Sequence, residues 1–296
     1  MANLKEIRTR IASVTSTRQI TSAMKMVSAA KFRKAQDAIV QLRPYANKLH
    51  MILSMLGDAL KEDEENIFVS EKPQEKILLI VITSNRGLCG GFNSSVIKNT
   101  MKLISENYSA QARNNNISLL IIGKKAEDFF KKLNIKIIDT RNDLFDHLNY
   151  DNASAVAREL IQKYTDGEFD RIEIIYNQFK NAAVQILTNE QFLPISIETS
   201  EEKKPGITGI TNYIFEPSKE YLVRELIPKS LKLQFFKALL DSNASEHGAR
   251  MTAMHKATDN ATELLKDLKL EYNKARQASI TNEILEIVSG ANALEG

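Results

Sequence analysis

The sequence predicts an α/β protein dominated by two long terminal helices, with a Rossmann-like α/β domain inserted between them. Three observations predict it. From Ala2 to Arg43 there is neither proline nor glycine, and from Lys229 to Ser289 there is no proline and one glycine, Gly248. Both stretches carry apolar residues at alternating spacings of three and four, the seam pattern of coiled-coil helices. Between them, continuous apolar runs alternate with helical stretches of 10–15 residues, the mark of a mainly parallel sheet with crossover helices.

At 1.5 Å per residue the second helical stretch alone reaches roughly 90 Å if unbroken, about three times the width of a small domain. A helix that long cannot bury itself within its own chain, so it lies against another helix, a partner protein, or both. In the N-terminal helix, residues 1–60, Ile7, Val14, Ala35, Leu42, Leu49 and Leu56 keep a seven-residue frame. Ile11, Phe32, Ile39, Ala46 and Leu53 stand four further on. Pro44 interrupts this seam and is expected to kink it. The acidic run Glu62-Asp63-Glu64-Glu65 and Pro73 read as a linker.

The central domain, 74–200, opens with the strand Ile77–Thr83, apolar throughout and so buried on both faces. Ser118–Ile122, closed by Gly123, is a second strand, followed by a helix at Lys124–Leu133. Ile135–Asp139 and Arg171–Tyr176 are further strands, with a helix at Asp151–Tyr164 between them, and Val184–Leu187 is the last. Glu201–Gly206 reads as a second linker. The C-terminal helix, 215–296, has Ser218 as its expected N-cap and Pro228 bending its first turns. Its seam runs Leu240, Ala244, His247, Met251, Met254, Thr258, Ala261, Leu265, Leu268, Tyr272, Ala275. A period of 3.5 implies a left-handed supercoil.

Each terminal helix carries a break in this pattern. In the first, the seam positions 18, 21, 25 and 28 are Arg, Thr, Lys and Ser, while Ile20, Met24 and Val27 place an apolar face one position away. In the second, the stripe jumps from Ala275 to Ile280 and continues through Ile284, Ile287, Ala291 and Leu294. Drift of an under-supercoiled helix explains both, because 3.6 does not divide 7. Helices that here present a surface to a third body explain them equally well.

Composition narrows the functional classes. Cys89 is the only cysteine, which excludes an internal disulfide and a thiolate zinc site. His50, His147, His247 and His255 show no metal-ligand spacing. The N-terminus lacks the apolar core of a signal peptide, and Ile77–Ile82 falls far short of the ~20 residues that span a bilayer, so a soluble chain from a reducing compartment is expected. Residues 1–60 hold ten Lys/Arg against three Asp/Glu, whereas residues 229–296 hold nine of each. A basic first helix suits an acidic partner, whether nucleic acid, membrane or protein, or simply a solvated surface.

Arg86-Gly87-Leu88-Cys89-Gly90-Gly91-Phe92-Asn93 follows a strand and precedes a helix, the place where α/β folds hold phosphates. Its spacing matches neither phosphate-loop pattern, and no lysine follows the second glycine, so a tight turn is the reading taken. Cys89 is read as packing, and no carboxylate pair or Ser/His/Asp set stands out. Three classes stay open: a structural coiled-coil element in a larger machine, a nucleic-acid binder using the first helix, and an enzyme built on the α/β domain. Phe32 is the only aromatic residue within 1–44, which weakens the second; the missing phosphate loop weakens the third.

Residues 20–31, ITSAMKMVSAAK, together with KARQASITNE at 274–283 and EIVSGA at 286–291, resemble the gamma subunit of F-type ATP synthases. Asn85–Gly91, Ala244-Ser245-Glu246, Ala249-Arg250-Met251 and Ala257–Asn260 add to the resemblance, which covers the chain in order. It implies a left-handed antiparallel coiled coil of the two ends with the Rossmann-like domain inserted. It also implies a non-catalytic rotor shaft without cofactor or metal, one copy per complex, and no nucleic-acid partner. That shaft turns inside a hexamer of alpha and beta subunits, while its foot contacts the epsilon subunit and the membrane c ring. Hydrogen-ion or sodium flow turns it and drives the beta sites in sequence, with regulation of ATPase activity and ion flow. The resemblance places hexamer contacts at Met24, Lys25, Arg250, Arg276, Gln277, Thr281 and Glu283, near the two pattern breaks, which favours the partner-facing explanation. Residues 287–294 carry no charge, as an end turning in an apolar sleeve requires. A position on the cytoplasmic face of a bacterial inner membrane, with no insertion into the bilayer, is the expected location. Gly248 is expected to soften the shaft, by about 1 kcal/mol relative to alanine.

Overall fold

The computed structural model of the chain describes residues 4–55, 68, 73–133, 135–195 and 219–294. Both expected linkers, Glu62–Glu65 and Glu201–Gly206, and the expected cap Ser218 lie outside them. The elements are α1 (Leu4–Met55), β1 (Ile77–Ile82), α2 (Phe92–Glu106), α3 (Ser109–Arg113), β2 (Ile117–Ile122), α4 (Lys124–Phe130), β3 (Lys136–Thr140), a short 3₁₀ turn (Asn142–Phe145), α5 (Tyr150–Thr165), β4 (Arg171–Phe179), β5 (Gln185–Leu193) and α6 (Lys219–Leu294). Helix α1 continues through Pro44 and α6 through Pro228. The chain packs as two compact units, 30–249 on the one hand and 1–29 with 250–296 on the other, so each long helix contributes to both.

The 30–249 unit is built on a five-stranded sheet of order β3-β2-β1-β4-β5. Strands β1 to β4 are parallel, and β5 returns antiparallel along β4. All six residues of β1 and all six of β2 are buried, as continuous apolar runs demand of strands covered on both faces. Ile77, Leu79 and Val81 point to the layer of α2 and α4, where Val96, Leu103 and Phe130 meet them. Leu78, Ile80 and Ile82 point to the opposite layer, formed by α5 and by Ile227, Leu231, Phe235 and Leu239 of α6. Helix α5 starts where Asn149 accepts a hydrogen bond from the Asn152 amide at 2.8 Å, a side-chain N-cap.

In the same unit, Phe32, Ala35, Ile39 and Leu42 of α1 pack with Leu240 and Ala244 of α6 and with Phe179 at the end of β4. The Phe32 and Phe179 rings meet edge to face, centroids 5.5 Å apart. Here Gly248 is a close-packing residue and not a soft spot. A Cβ built on it would stand 3.2 Å from the Ala182 carbonyl oxygen, 3.3 Å from Ala182 Cα and 3.4 Å from Phe32 Cε2. The turn after β4 therefore lies directly on the glycine. Gly248→Val is expected to cost about 1–3 kcal/mol through overpacking, read as a lowered urea midpoint at unchanged m-value; an unchanged midpoint would show that the turn moves away freely.

The 1–29/250–296 unit is an antiparallel helix pair. Thr21 meets Thr258 (Oγ1–Oγ1 2.9 Å) and Lys25 Nζ meets His255 Nδ1 (3.3 Å), so numbers rise along one helix as they fall along the other. Ile7 on α1 and Met254, Ala261, Leu265 and Leu268 on α6 are buried. Between these layers the seam does not break as the sequence suggested. Thr21 and Ser28 are buried in frame with Ile7, while Ile20 and Val27 are 60% and 58% exposed. Small hydroxyl side chains can occupy a helix seam because the helix's own carbonyls satisfy them: Thr21 donates to Arg18 O at 3.0 Å and Thr262 to Thr258 O at 2.8 Å. Ile20 and Val27 of the apolar row face outward instead, while Met24 is half-buried. On α6 the frame likewise passes from Ala275 to half-buried Ser279, and Ile280 is exposed.

Candidate functional site, the outward faces of the helix pair

With residue 21 opposite 258 and 25 opposite 255, the described start of α1 at Leu4 falls opposite about residue 275. Beyond that point α6 has no described α1 residue facing it. Ile280, Ile284, Leu285, Ile287 and Val288 are all exposed there, Ile287 at 71%. Large apolar side chains gathered this densely in the open mark a binding surface.

The seven sequence-predicted contact residues fall into three groups. Met24 and Lys25 are half-buried at the edge of the seam. Lys25 Nζ lies 3.3 Å from His255 Nδ1, and the same nitrogen lies 3.4 Å from Asp259 Oδ2. That nitrogen accepts from Lys25 only without a proton and donates to Asp259 only with one, so the two contacts exclude each other. Arg276, Gln277, Thr281 and Glu283 are exposed on the unpaired end of α6. Their described interactions stay within the helix: the Thr281 hydroxyl donates to Gln277 O at 2.9 Å, and Ser279 Oγ lies 3.5 Å from Glu283. Arg250 forms the third group. It is 7% exposed in the chain.

The 86–93 motif is a structural knot at the carboxyl edge of the sheet. Ser84, Cys89 and Asn93 bind one another, with Asn93 Nδ2 donating to the buried Cys89 Sγ at 3.2 Å and its Oδ1 accepting from the Ser84 amide at 2.9 Å. The start of α4, at the same edge of the sheet, is filled by the chain itself. Asn85 Oδ1 accepts from the Lys124 amide, Asn142 Oδ1 from the Gly123 amide and Thr83 Oγ1 from the Ala126 amide, at 3.1, 3.0 and 3.1 Å. At the topological switch point, Asn177 of β4 donates to Phe92 O at 2.9 Å and ties the start of α2 to the sheet. The Gly123, Lys124 and Ala126 amides are therefore already taken by side chains of the chain itself and are not offered to a phosphate. These asparagine caps escaped the sequence reading, since Asn85 and Asn142 are brought together only by the fold. Among the described residues no cluster of His, Cys, Asp and Glu has metal-binding geometry, and no helix is long and apolar enough to cross a membrane.

Comparison with known proteins matches this arrangement. The family model described as ATP synthase matches residues 3–294. The chain is 56% identical to the ATP synthase gamma chain of Christiangramia forsetii and 57% identical to that of Flavobacterium psychrophilum, in both cases over the full length of both chains. Among solved structures it resembles a chain of the Tetrahymena thermophila mitochondrial ATP synthase central stalk and c ring, at TM-score 0.58 and 27% identity over 80% of this chain and 99% of that one. A chain of the Euglena gracilis mitochondrial ATP synthase shares the fold at TM-score 0.69 and 23% identity, covering 98% of this chain and 94% of that one. The chain belongs to the gamma-chain family of F-type ATP synthases.

Proposed function

We propose that this chain, the non-catalytic central-stalk subunit of its enzyme, passes rotation to the catalytic subunits through the outward faces of its helix pair. The observation that carries the proposal is the open apolar end of α6, with Ile280, Ile284, Leu285, Ile287 and Val288 unpartnered. Residues 287–294, which carry no charge, can turn in an apolar sleeve because no directional bond fixes one angle. Met24 and Lys25 on α1, and Arg276, Gln277, Thr281 and Glu283 on α6, supply polar contacts to the alpha and beta subunits. A rotor changes a catalytic site only by binding one of its conformations better than another. The pair can do so because its sides differ: Ile20 and Val27 present an apolar row on α1, whereas Lys25 and His255 present charge and hydrogen bonds. The 30–249 unit is the foot, meeting the epsilon subunit and the c ring. One copy serves each complex, on the cytoplasmic face of a bacterial inner membrane, carried there by its partners and not by insertion.

Arg276 gives the cleaner test, because Lys25 also faces His255 within the seam. Arg276→Glu in the assembled complex is expected to lower ATP-driven ion pumping per ATP hydrolysed about tenfold, the equivalent of roughly 1.4 kcal/mol at a charged contact, with normal assembly. Parallel loss of assembly and activity would mean that Arg276 serves folding and not coupling.

A further inference from the structure

Asp241, in the 30–249 unit, is the group whose surroundings are least explained by packing. Its side chain is 1% exposed, yet among the described residues no side chain is within hydrogen-bonding geometry of either oxygen, and the Phe179 backbone is the one hydrogen-bonding group toward it. A buried carboxylate with so few partners is rare because the desolvation of the charge goes largely uncompensated. The groups that face it come from every neighbouring element. Lys237 lies one turn before it on α6, and Arg43 approaches from α1. The backbone at Phe179 closes the end of β4, where Tyr176 also senses the charge, and Glu190 opposes it from β5. Arg43 Nη2 stands 3.7 Å from Asp241 Oδ1 and donates to Phe179 O at 3.0 Å, so one guanidinium spans the carboxylate and the end of the strand.

We propose that Asp241 is a proton-binding site that controls how α1 is held in the α/β unit: ionised, it draws the Arg43 guanidinium against β4, and on taking up a proton it lets that guanidinium go. Burial, opposed first by Lys237 and then by Arg43, pushes the Asp241 carboxyl up to about 6. The unfolded chain has the ordinary value of 3.8. Between those values the folded chain holds more protons than the unfolded one, so the contribution of this group to stability grows as pH falls through about 6. The clamp is therefore a feature of neutral solution, held at the expense of a buried charge. Mild acid frees Arg43 without unfolding the unit.

Two measurements on the full chain test this. The infrared carboxyl band lost in Asp241→Asn, followed against pH in the wild-type chain, is expected to titrate near pH 6; a midpoint in the ordinary carboxylate range overturns the proposal. Hydrogen exchange of α1 peptides around residue 43, corrected for intrinsic rates, is expected to rise several-fold between about pH 7.5 and pH 5.5 in the wild-type chain. In Asp241→Asn it should be fast at both. Exchange in the wild-type chain that ignores pH, or a variant that keeps the dependence, overturns it equally. Where the variant fails to fold, Arg43→Gln takes its place in the exchange measurement, with the same expectation.

Discussion

Replacing Gly123 by alanine is expected to unfold the α/β unit, at a cost above about 3 kcal/mol. Gly123 closes β2 at φ 112°, ψ 127°, a conformation that L side chains rarely adopt. A Cβ there would lie 2.1 Å from the carbonyl oxygen of Thr83 and 2.7 Å from its hydroxyl. Thr83 cannot retreat. Its amide donates to Ile122 O at 2.8 Å, its hydroxyl donates to Gly123 O at 3.2 Å, and the Ala126 amide donates to that hydroxyl at 3.1 Å. Movement would undo both the junction of β1 with β2 and the start of α4. Thermal melting followed by circular dichroism checks this; a melt close to wild type would show that the junction rearranges cheaply.

Phe235→Ala is the second large effect, expected to cost about 3–5 kcal/mol. Phe235 is fully buried on the part of α6 that covers one face of the sheet, its ring centroid 6.2 Å from that of Phe192 on β5. Its removal leaves a cavity between a helix and a sheet, two rigid elements that cannot collapse onto each other. Phe235→Leu, which keeps most of the volume, should cost far less. The comparison is made by urea unfolding, and equal midpoints for the two variants would refute the cavity explanation.

The strands were legible where burial leaves one solution. Ile77–Ile82 could only be a strand covered on both faces, and it lies at the centre of the sheet. The last strand was underestimated. The expectation stopped at Leu187, while β5 continues to Leu193 through Thr188, Asn189, Glu190 and Gln191. These polar residues belong to an edge strand with one open side, and Glu190 is held by Tyr176 and Gln234 at 2.7 and 2.9 Å, partners that sequence spacing does not reveal. The seam of α1 misled for a related reason. A period search weights apolar residues, so Ile20 and Val27 outvoted Thr21 and Ser28, although only the latter are buried. The contacts proposed on α6 rest on family resemblance alone, for nothing in their local pattern marks Arg276 or Thr281. Gly248 was read by helix propensity, when the deciding neighbour, Ala182, stands 66 positions away in the sequence.

The asparagines that plug the carboxyl edge of the sheet have one more consequence. A domain of this architecture with a vacant nucleotide crevice would gain stability whenever its ligand was plentiful, by mass action. Asn85 and Asn142 occupy the amides at the start of α4, so those amides contribute nothing to such a dependence. That corner of the sheet is held by the chain's own side chains, at whatever adenylate concentration surrounds it.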